Sequence, residues 1–441
     1  MRISVIIPVW NGVSVIAKCL KALFENSEAN RFEVICVDNS SSDGSASLIA
    51  DAYPQVRLLR QPVNLGFAGG VNVGIEAAEG DVFILLNQDC IVQPGWMIPL
   101  LQVLESSPDV IIGGVLLNQE GMIDHAGAIL RRPEAIGVHL TEIKDVNPWP
   151  VEYVSGAAFA FPRNVWERVG RFDEGFYPAY YEDADYCLRA RRYGVEVLCV
   201  PQLRVVHLRS SEEWRVNPIR HRANYHTVRY RFACKHFNGQ ELNQFFESEK
   251  ACLNDNSPLE ETLGRIIGAR RTLFSLPEIV TRRKVDLREE VSSALVRQIQ
   301  VGLGIVLQEA LPLLERVSFQ PLQNLVISFQ ELQSLQKREY LLIERIYFRS
   351  PLDRSPEPWL RRLFRLLVLR PFSFLIGRDY LLLAELNTLH TARMDRMAQV
   401  LDQMAQVLDQ MAQVLDQMAQ VMDRTNQYIN LLETLIRYEG L

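Results

Sequence analysis

The chain has 441 residues and no C-x-x-C pair among its seven cysteines. Cys19, Cys36, Cys90, Cys187, Cys199, Cys234 and Cys252 are scattered and odd in number. That speaks against a disulfide framework or a zinc cage and fits a reducing compartment. Basic charge is not in excess either: the formal net charge is -6 and the pI about 5.8. No global positive field is available for nucleic acid. No uninterrupted apolar stretch is long enough to span a bilayer. The opening "MRISVIIPVWNG" breaks at Trp10-Asn11-Gly12, so it reads as a first strand and not as a signal peptide. No G-x-G-x-x-G fingerprint follows that strand, which removes the usual support for a dinucleotide-dependent oxidoreductase. Glycine becomes sparse after about residue 240, where long helical patterns take over.

Apolar residues make up 48% of the chain, enough for a sizeable core. The length predicts two or three domains. Up to about residue 115, strand and helix patterns alternate. "ISVIIPV", "FEVICVD", "VRLLRQ" and "DVFILLN" read as strands. "VSVIAKCLKALFEN" has helical spacing, and "SDGSASLIADAY" opens with helix-capping chemistry. "GFAGGVNVGIEAAEG" reads as a Gly-rich turn feeding a helix. This predicts an α/β fold: a mostly parallel sheet with helices on both faces, binding ligands outside the carboxyl ends of its strands. Residues 116 to about 236 are mixed and aromatic-rich, with a strand, a short helix, an acidic loop and a further helix.

Asp38 and Asp89 both end predicted strands. A buried carboxylate there is costly unless something pairs with it. Asp89 can ligate hard Mg2+ or Mn2+, and Asp38 can read a nucleoside. The plainer alternative is that both cap strand ends. In "NLGFAGGVNVG" the glycines allow close backbone approach to a ligand, or they serve a plain loop and helix cap. "YYEDADYCLR" sets Glu182, Asp183 and Asp185 within four residues beside aromatics. Three close carboxylates repel one another unless solvated or paired. One of them can act as a general base toward a hydroxyl, with the aromatics facing sugar rings. Alternatively the acids only open a helix. His207 ends another predicted strand; a lone histidine is commonly structural, yet with metal at Asp89 it becomes a candidate second ligand.

Taken together, these segments resemble inverting glycosyltransferase family 2, of GT-A fold, in its rhamnosyltransferase-like branch. The resemblance covers about residues 1–235. It is carried in order by "ISVIIPVWNG", "VICVDNSSSDGS", "NLGFAGGVNVGI", "LLNQD", "GAAFAFPRNVWERVGRFDEGF", "YYEDADYCLRARRYG" and "VVH". It implies Asp183 as catalytic base and Asp89 with His207 as metal ligands for Mg2+ or Mn2+. It implies Pro8, Asn11, Asp38, Asn64, Gly66, Asn72 and Asn87 around the nucleotide-sugar donor. It implies Tyr181, Glu182 and Asp185 toward a glycan or lipid-linked acceptor. The departure is Asn87, which stands where the first acid of the metal-binding D-x-D is expected and so weakens cation affinity. The implied reaction is sugar transfer with inversion in cell-surface polysaccharide synthesis, in the cytoplasm or at the inner face of the cell membrane.

The expected domains are a GT-A domain at 1–238, a helical region at 239–350, a Pro-containing linker with a basic segment at 351–390, and a coiled coil at 391–441. The basic segment carries Arg361, Arg362, Arg365, Arg370 and Arg378 among Trp, Phe and Leu. It suits either a membrane interface or packing on a neighbouring domain. "MAQVLDQ" recurs from Met397, Met404 and Met411, with a partial copy from Met418. With leucine at a and methionine at d, it is a heptad seam and predicts a homo-oligomer through 394–424. A second function class stays open, a catalytically weak sugar-nucleotide-binding scaffold assembled through that tail. Asn87 motivates it, and the presence of Asp89, Asp183 and His207 opposes it.

Overall fold

β1 (Ile3–Val9) is buried along its whole length, as a strand covered on both faces must be. It pairs in parallel with β2 (Phe32–Asp38) and with β4 (Val82–Leu86), and β3 (Arg57–Arg60) continues beyond β2. β11 (Ala158–Pro162) runs antiparallel between β4 and β6 (Val110–Leu117), and β12 (Glu196–His207) lies parallel to β6. β1, β2, β3, β4, β6 and β12 therefore share one direction. Their carboxyl ends form one edge. β5 (Cys90–Val92) and β10 (Trp149–Pro150) pair antiparallel with β12, and β7 (Ile123–His125) with β6. β8 (Ala128–Arg131) and β9 (Ile136–His139) form a separate two-stranded sheet. This is a computed structural model, and it describes residues 2–27, 32–208, 218–253 and 257–315.

Period-two alternation sends β1 side chains to two cores. Val5 and Ile7 join α1 (Ile16–Glu25), α2 (Ser45–Ala52) and α4 (Met97–Ser106) on one face. α1 shows why: Ile16, Cys19, Leu20 and Leu23 recur at helical spacing and are all fully buried. On the opposite face α3 (Gly66–Ala77) packs so closely that a Cβ on Gly74 would lie 2.3 Å from Ile6. That face continues as an aromatic core. Phe83, Phe159, Phe161 and Phe172 pack with Tyr186 of α6 (Glu182–Arg191), next to α5 (Arg163–Val169). The Phe172 and Tyr186 rings stack at 4.1 Å.

Three local expectations are corrected. The acidic run is not a loop: Glu182, Asp183 and Asp185 are the first turn of α6, where the helix dipole favours acids. The Gly-rich stretch is already helical from Gly66. α2 starts on Gly44 in the left-handed region with no side-chain cap, while Asp43 accepts from the Ser45 and Val13 N–H groups instead.

After the sheet come helices at Pro218–His236, Gly239–Cys252, Leu259–Phe274, Leu276–Leu287 and Ser293–Glu315. Met1–Ala310 forms one compact unit, and the helices up to Ala310 belong to it with the sheet. Of the second unit, Leu311–Leu441, the described part is the end of the last helix. The linker and basic segment at 351–390, the heptad repeat at 391–441 and the oligomer contact at 394–424 lie outside the described residues. Among the described residues no helix is long and apolar enough to cross a membrane.

Candidate active site

The carboxyl ends of β1, β2, β4 and β12 bring the predicted donor residues to one edge. Asp38 ends β2, and its Oδ1 accepts the Ser41 N–H at 3.1 Å. Asn11 has a left-handed backbone, φ 46°, and its Oδ1 accepts the Ser42 N–H at 2.9 Å. Together these two side chains shape the loop that follows β2. Pro8 is buried in β1, and a Cβ on Gly70 of α3 would lie 3.3 Å from its ring. Asn64 Oδ1 accepts the Gly66 N–H at 2.8 Å. Gly66 itself has φ 72°, and a Cβ there would sit 2.8 Å from the Pro178 carbonyl oxygen. Only glycine fits that close approach.

Asn72 is a correction. It is fully buried, and its amide is spent on Phe172 N–H and C=O and on Glu174. It ties α3 to the segment before α6 and faces no ligand. Two neighbours went unnoticed in the sequence. Gln88 exchanges two 3.0 Å hydrogen bonds with the Trp10 backbone, locking the β1 exit to the β4 exit. Asn39 donates to the Gly66 carbonyl at 3.0 Å.

Asp89 faces His207. The carboxylate Oδ1 lies 3.3 Å from His207 Nε2, with 10% of the Asp89 side chain and 20% of the His207 side chain exposed. The pairing follows from topology: β5 places Cys90 opposite His207 on β12, and Leu208 N–H returns to the Asp89 carbonyl at 2.9 Å. Asp89, Cys90 and His207 form a cluster whose ligand atoms lie within 4.8 Å of one another. Cys90 is an unforeseen member and a poor ligand. Burial, with Asp89 nearby, pushes its thiol well up, and it donates to the Ala157 carbonyl. One carboxylate oxygen and one imidazole nitrogen, both reached by solvent, fit a hard divalent cation that keeps positions for phosphate oxygens. Asn87 supplies no charge; its N–H donates to Ala157 O at 3.1 Å and its carbonyl closes a turn to Cys90 N–H.

The three acids of α6 have three different fates. Glu182 is buried, and burial followed by Asp183 holds its carboxyl well above the usual range. Asp185 is fully buried. Burial opposes its charge, but Lys235 first and then Arg189 and His236 hold it well below the usual range. Glu182 and Asp185 therefore do not face an acceptor, against expectation. Asp183 alone is half-buried, and burial raises its pKa against the backbone N–H groups that favour the anion. Its Oδ2 accepts Gly156 N–H at 3.1 Å and its Oδ1 Ala184 N–H at 2.7 Å. Tyr181 is a further correction: it is buried and its hydroxyl donates to the Ala135 carbonyl at 2.5 Å. Tyr177 and Tyr180 are the exposed rings. Tyr180 and Tyr181 both have positive φ, 82° and 70°, a strained pair immediately before the base candidate.

Gly156 and Ala157 join the two clusters. The Gly156 N–H holds Asp183, and the next carbonyl, Ala157 O, receives Asn87 N–H and Cys90 Sγ. The arrangement sets an accessible base candidate beside a carboxylate–imidazole pair at a sheet edge. Against known proteins, the family model described as "Glycosyl transferase family 2" matches residues 4–170. Those residues are a glycosyltransferase family 2 domain.

The matched span holds the predicted donor residues and Asp89, while Asp183 and His207 lie beyond it. Over 234 residues the chain is 28% identical to an N-acetylglucosaminyl-diphospho-decaprenol L-rhamnosyltransferase of Mycobacterium tuberculosis, covering 47% of this chain and 76% of that protein. It is 25% identical over 227 residues to the O-antigen biosynthesis protein RfbC of Myxococcus xanthus, covering 48% of this chain. The match spans only 17% of the length of that second relative. A solved structure of GalNAc-T7 with UDP, GalNAc and Mn2+ superposes with a TM-score of 0.44 and 18% identity, over 52% of this chain and 47% of that one.

Proposed function

We propose that the chain is an inverting glycosyltransferase that moves a sugar from a nucleoside diphosphate donor to a hydroxyl of a glycan or lipid-linked acceptor. Asp183 carries the reading: it is a half-buried carboxylate with a raised pKa, linked through Gly156 and Ala157 to the turn that bears Asp89. Asp183 takes the proton of the acceptor hydroxyl. That oxygen bonds to the anomeric carbon as the carbon–diphosphate bond breaks, and the electron pair leaves with the diphosphate. One base and no protein nucleophile give inversion. A divalent cation, Mg2+ or Mn2+, held by Asp89 and His207 would supply positive charge toward the departing diphosphate. Asp38 and Asn11 border the nucleoside side of the edge, and Asn64 and Gly66 bring the α3 backbone close to the donor. Tyr177 and Tyr180 replace Tyr181 as rings on which an acceptor sugar can lie.

The rhamnosyltransferase relative makes dTDP-rhamnose the first donor to test, with UDP-sugars second. It makes a polyprenyl-diphospho-N-acetylglucosamine the first acceptor, which would set the work at the inner face of the cell membrane. The test is proton NMR of the product formed with Mn2+ present. The reading expects an anomeric configuration opposite to the donor's. Retention, or no transfer from any dTDP-, UDP- or GDP-sugar, would overturn it.

A further inference from the structure

The helix Pro218–His236 lies beyond the family match, yet it reaches into the core of the site. Lys235 on this helix is completely buried. Its Nζ lies 2.7 Å from Asp185 Oδ1, 2.9 Å from Asp173 Oδ2 and 2.7 Å from Asp286 Oδ2. The ammonium donates a hydrogen bond to Asp173 Oδ2 and forms ion pairs with Asp185 and Asp286, so three carboxylates crowd one cation. The three acids come from three places. Asp173 precedes the exposed tyrosines, Asp185 sits in the first turn of α6, and Asp286 is near the end of the helix Leu276–Leu287.

Neighbouring donors complete the hub. Asp185 also takes Arg189 Nε at 2.9 Å and His236 Nε2 at 2.7 Å. Asp173 takes Arg231 Nη2 at 2.7 Å, and Arg231 continues to Glu278 at 2.8 Å. A buried ion cluster adds little net stability over apolar packing of similar volume. What it adds is direction, because three fixed carboxylates around one ammonium leave little freedom to any of them. Asp183 has its carboxylate oriented by backbone N–H groups, so its place follows the backbone of the first turn. That backbone is pinned two residues on, at Asp185.

We propose that Lys235 is a positioning residue for sugar transfer: by holding Asp185, Asp173 and Asp286 together it fixes where the Asp183 carboxylate stands. This rests on Asp183 being the base. The helices after residue 218 then belong to the catalytic unit and are not an appendage to it.

The experiment uses the full chain. Lys235→Met, Asp286→Asn and Asp183→Asn are compared with wild type for calorimetric dTDP binding. They are also compared for dTDP release from dTDP-rhamnose with polyprenyl-diphospho-N-acetylglucosamine. Turnover is counted per dTDP-binding site, so lost folded protein does not register as lost rate. A purely structural role would reduce the number of sites and leave kcat per site alone. The positioning role predicts kcat per site lower by on the order of 100-fold in Lys235→Met, with dTDP affinity unchanged, because small misplacements of a reacting group carry such costs. Asp286→Asn keeps the shape of the hub and is expected to lose about threefold to tenfold by the same reasoning. If Lys235→Met does not fold, Asp286→Asn decides alone. Wild-type kcat per site in these variants, beside an inactive Asp183→Asn, overturns the role of Lys235 only. An active Asp183→Asn overturns the base assignment and this inference with it.

Discussion

Asp183→Asn separates the chemistry of the site from its shape. The carboxylate accepts through both oxygens, from Gly156 N–H at 3.1 Å and from Ala184 N–H at 2.7 Å. Asparagine keeps the volume and one acceptor oxygen. Its NH2 must then face the other backbone N–H, and two donors confront each other at a cost of about 1–3 kcal/mol. A fall of a few degrees in Tm is expected from that alone. The chemical loss is separate. A positioned general base contributes about 100-fold to 10,000-fold, or roughly 3–5 kcal/mol of barrier. Nucleotide affinity stays within about twofold, because Asp38, Asp89 and His207 belong to β2, the turn after β4 and β12 and keep their contacts. The assay is release of dTDP from dTDP-rhamnose per dTDP-binding site, with thermal melting alongside. Turnover within tenfold of wild type, in a variant that still binds dTDP, would refute the base assignment.

The pH profile follows from the same group: burial raises the Asp183 pKa, so kcat should climb with pH along an acid limb lying above the ordinary 3.8, and Asp183→Asn should lose that limb. Burial and then Asp183 raise the Glu182 pKa, so its contribution to stability is complete below its ordinary 4.5 and is lost as pH rises through its raised folded value. Glu182→Gln should therefore melt higher than wild type at pH 8 and alike at pH 4. Glu249 is the opposite case. Burial disfavours its charge, but Arg229 and Arg265 outweigh burial and bring its pKa down to about 2. That shift contributes roughly 3 kcal/mol above its ordinary 4.5, lost as pH falls toward 2. Glu249→Gln leaves the buried Arg229 without its counter-charge, while Arg265 keeps Glu261, and should cost about 3–5 kcal/mol at pH 7, read from urea midpoints. Gly66→Ala forces a Cβ into a φ of 72° and to 2.8 Å from the Pro178 oxygen. The left-handed conformation alone costs about 1–2 kcal/mol, and a lower Tm with weaker dTDP binding is the expected result.

The strands were legible because continuous β-branched runs end abruptly in polar residues. Asp38, Asp89 and His207 stand at those breaks, and parallel pairing then brings them to one edge. The pairing of Asp89 with His207 across β5 and β12 was within reach once both were read as strand ends. The fate of the acidic run was not. Helix phase turns Asp183 outward and Asp185 inward, and what awaits Asp185 is Lys235, fifty residues later. Tyr180 and Tyr181 could not be told apart by type; Tyr181 is the ring that turns inward, its hydroxyl bonded to the distant Ala135 carbonyl. Asn72 lies in the Gly-rich motif, but its partners Phe172 and Glu174 are about a hundred residues away. In each case a long-range contact absorbs a polar group that composition alone would offer to a ligand.

The measurement that bears most directly on the central claim is calorimetric binding of dTDP, UDP and GDP to the full chain. Each nucleotide is titrated with Mn2+, with Mg2+ and with chelator, and Asp89→Ala is run beside wild type. The account predicts that one nucleotide binds more tightly with cation than with chelator, and that Asp89→Ala loses the difference while keeping weak binding. Binding of no nucleotide, or cation-dependent binding untouched by Asp89→Ala, would contradict it.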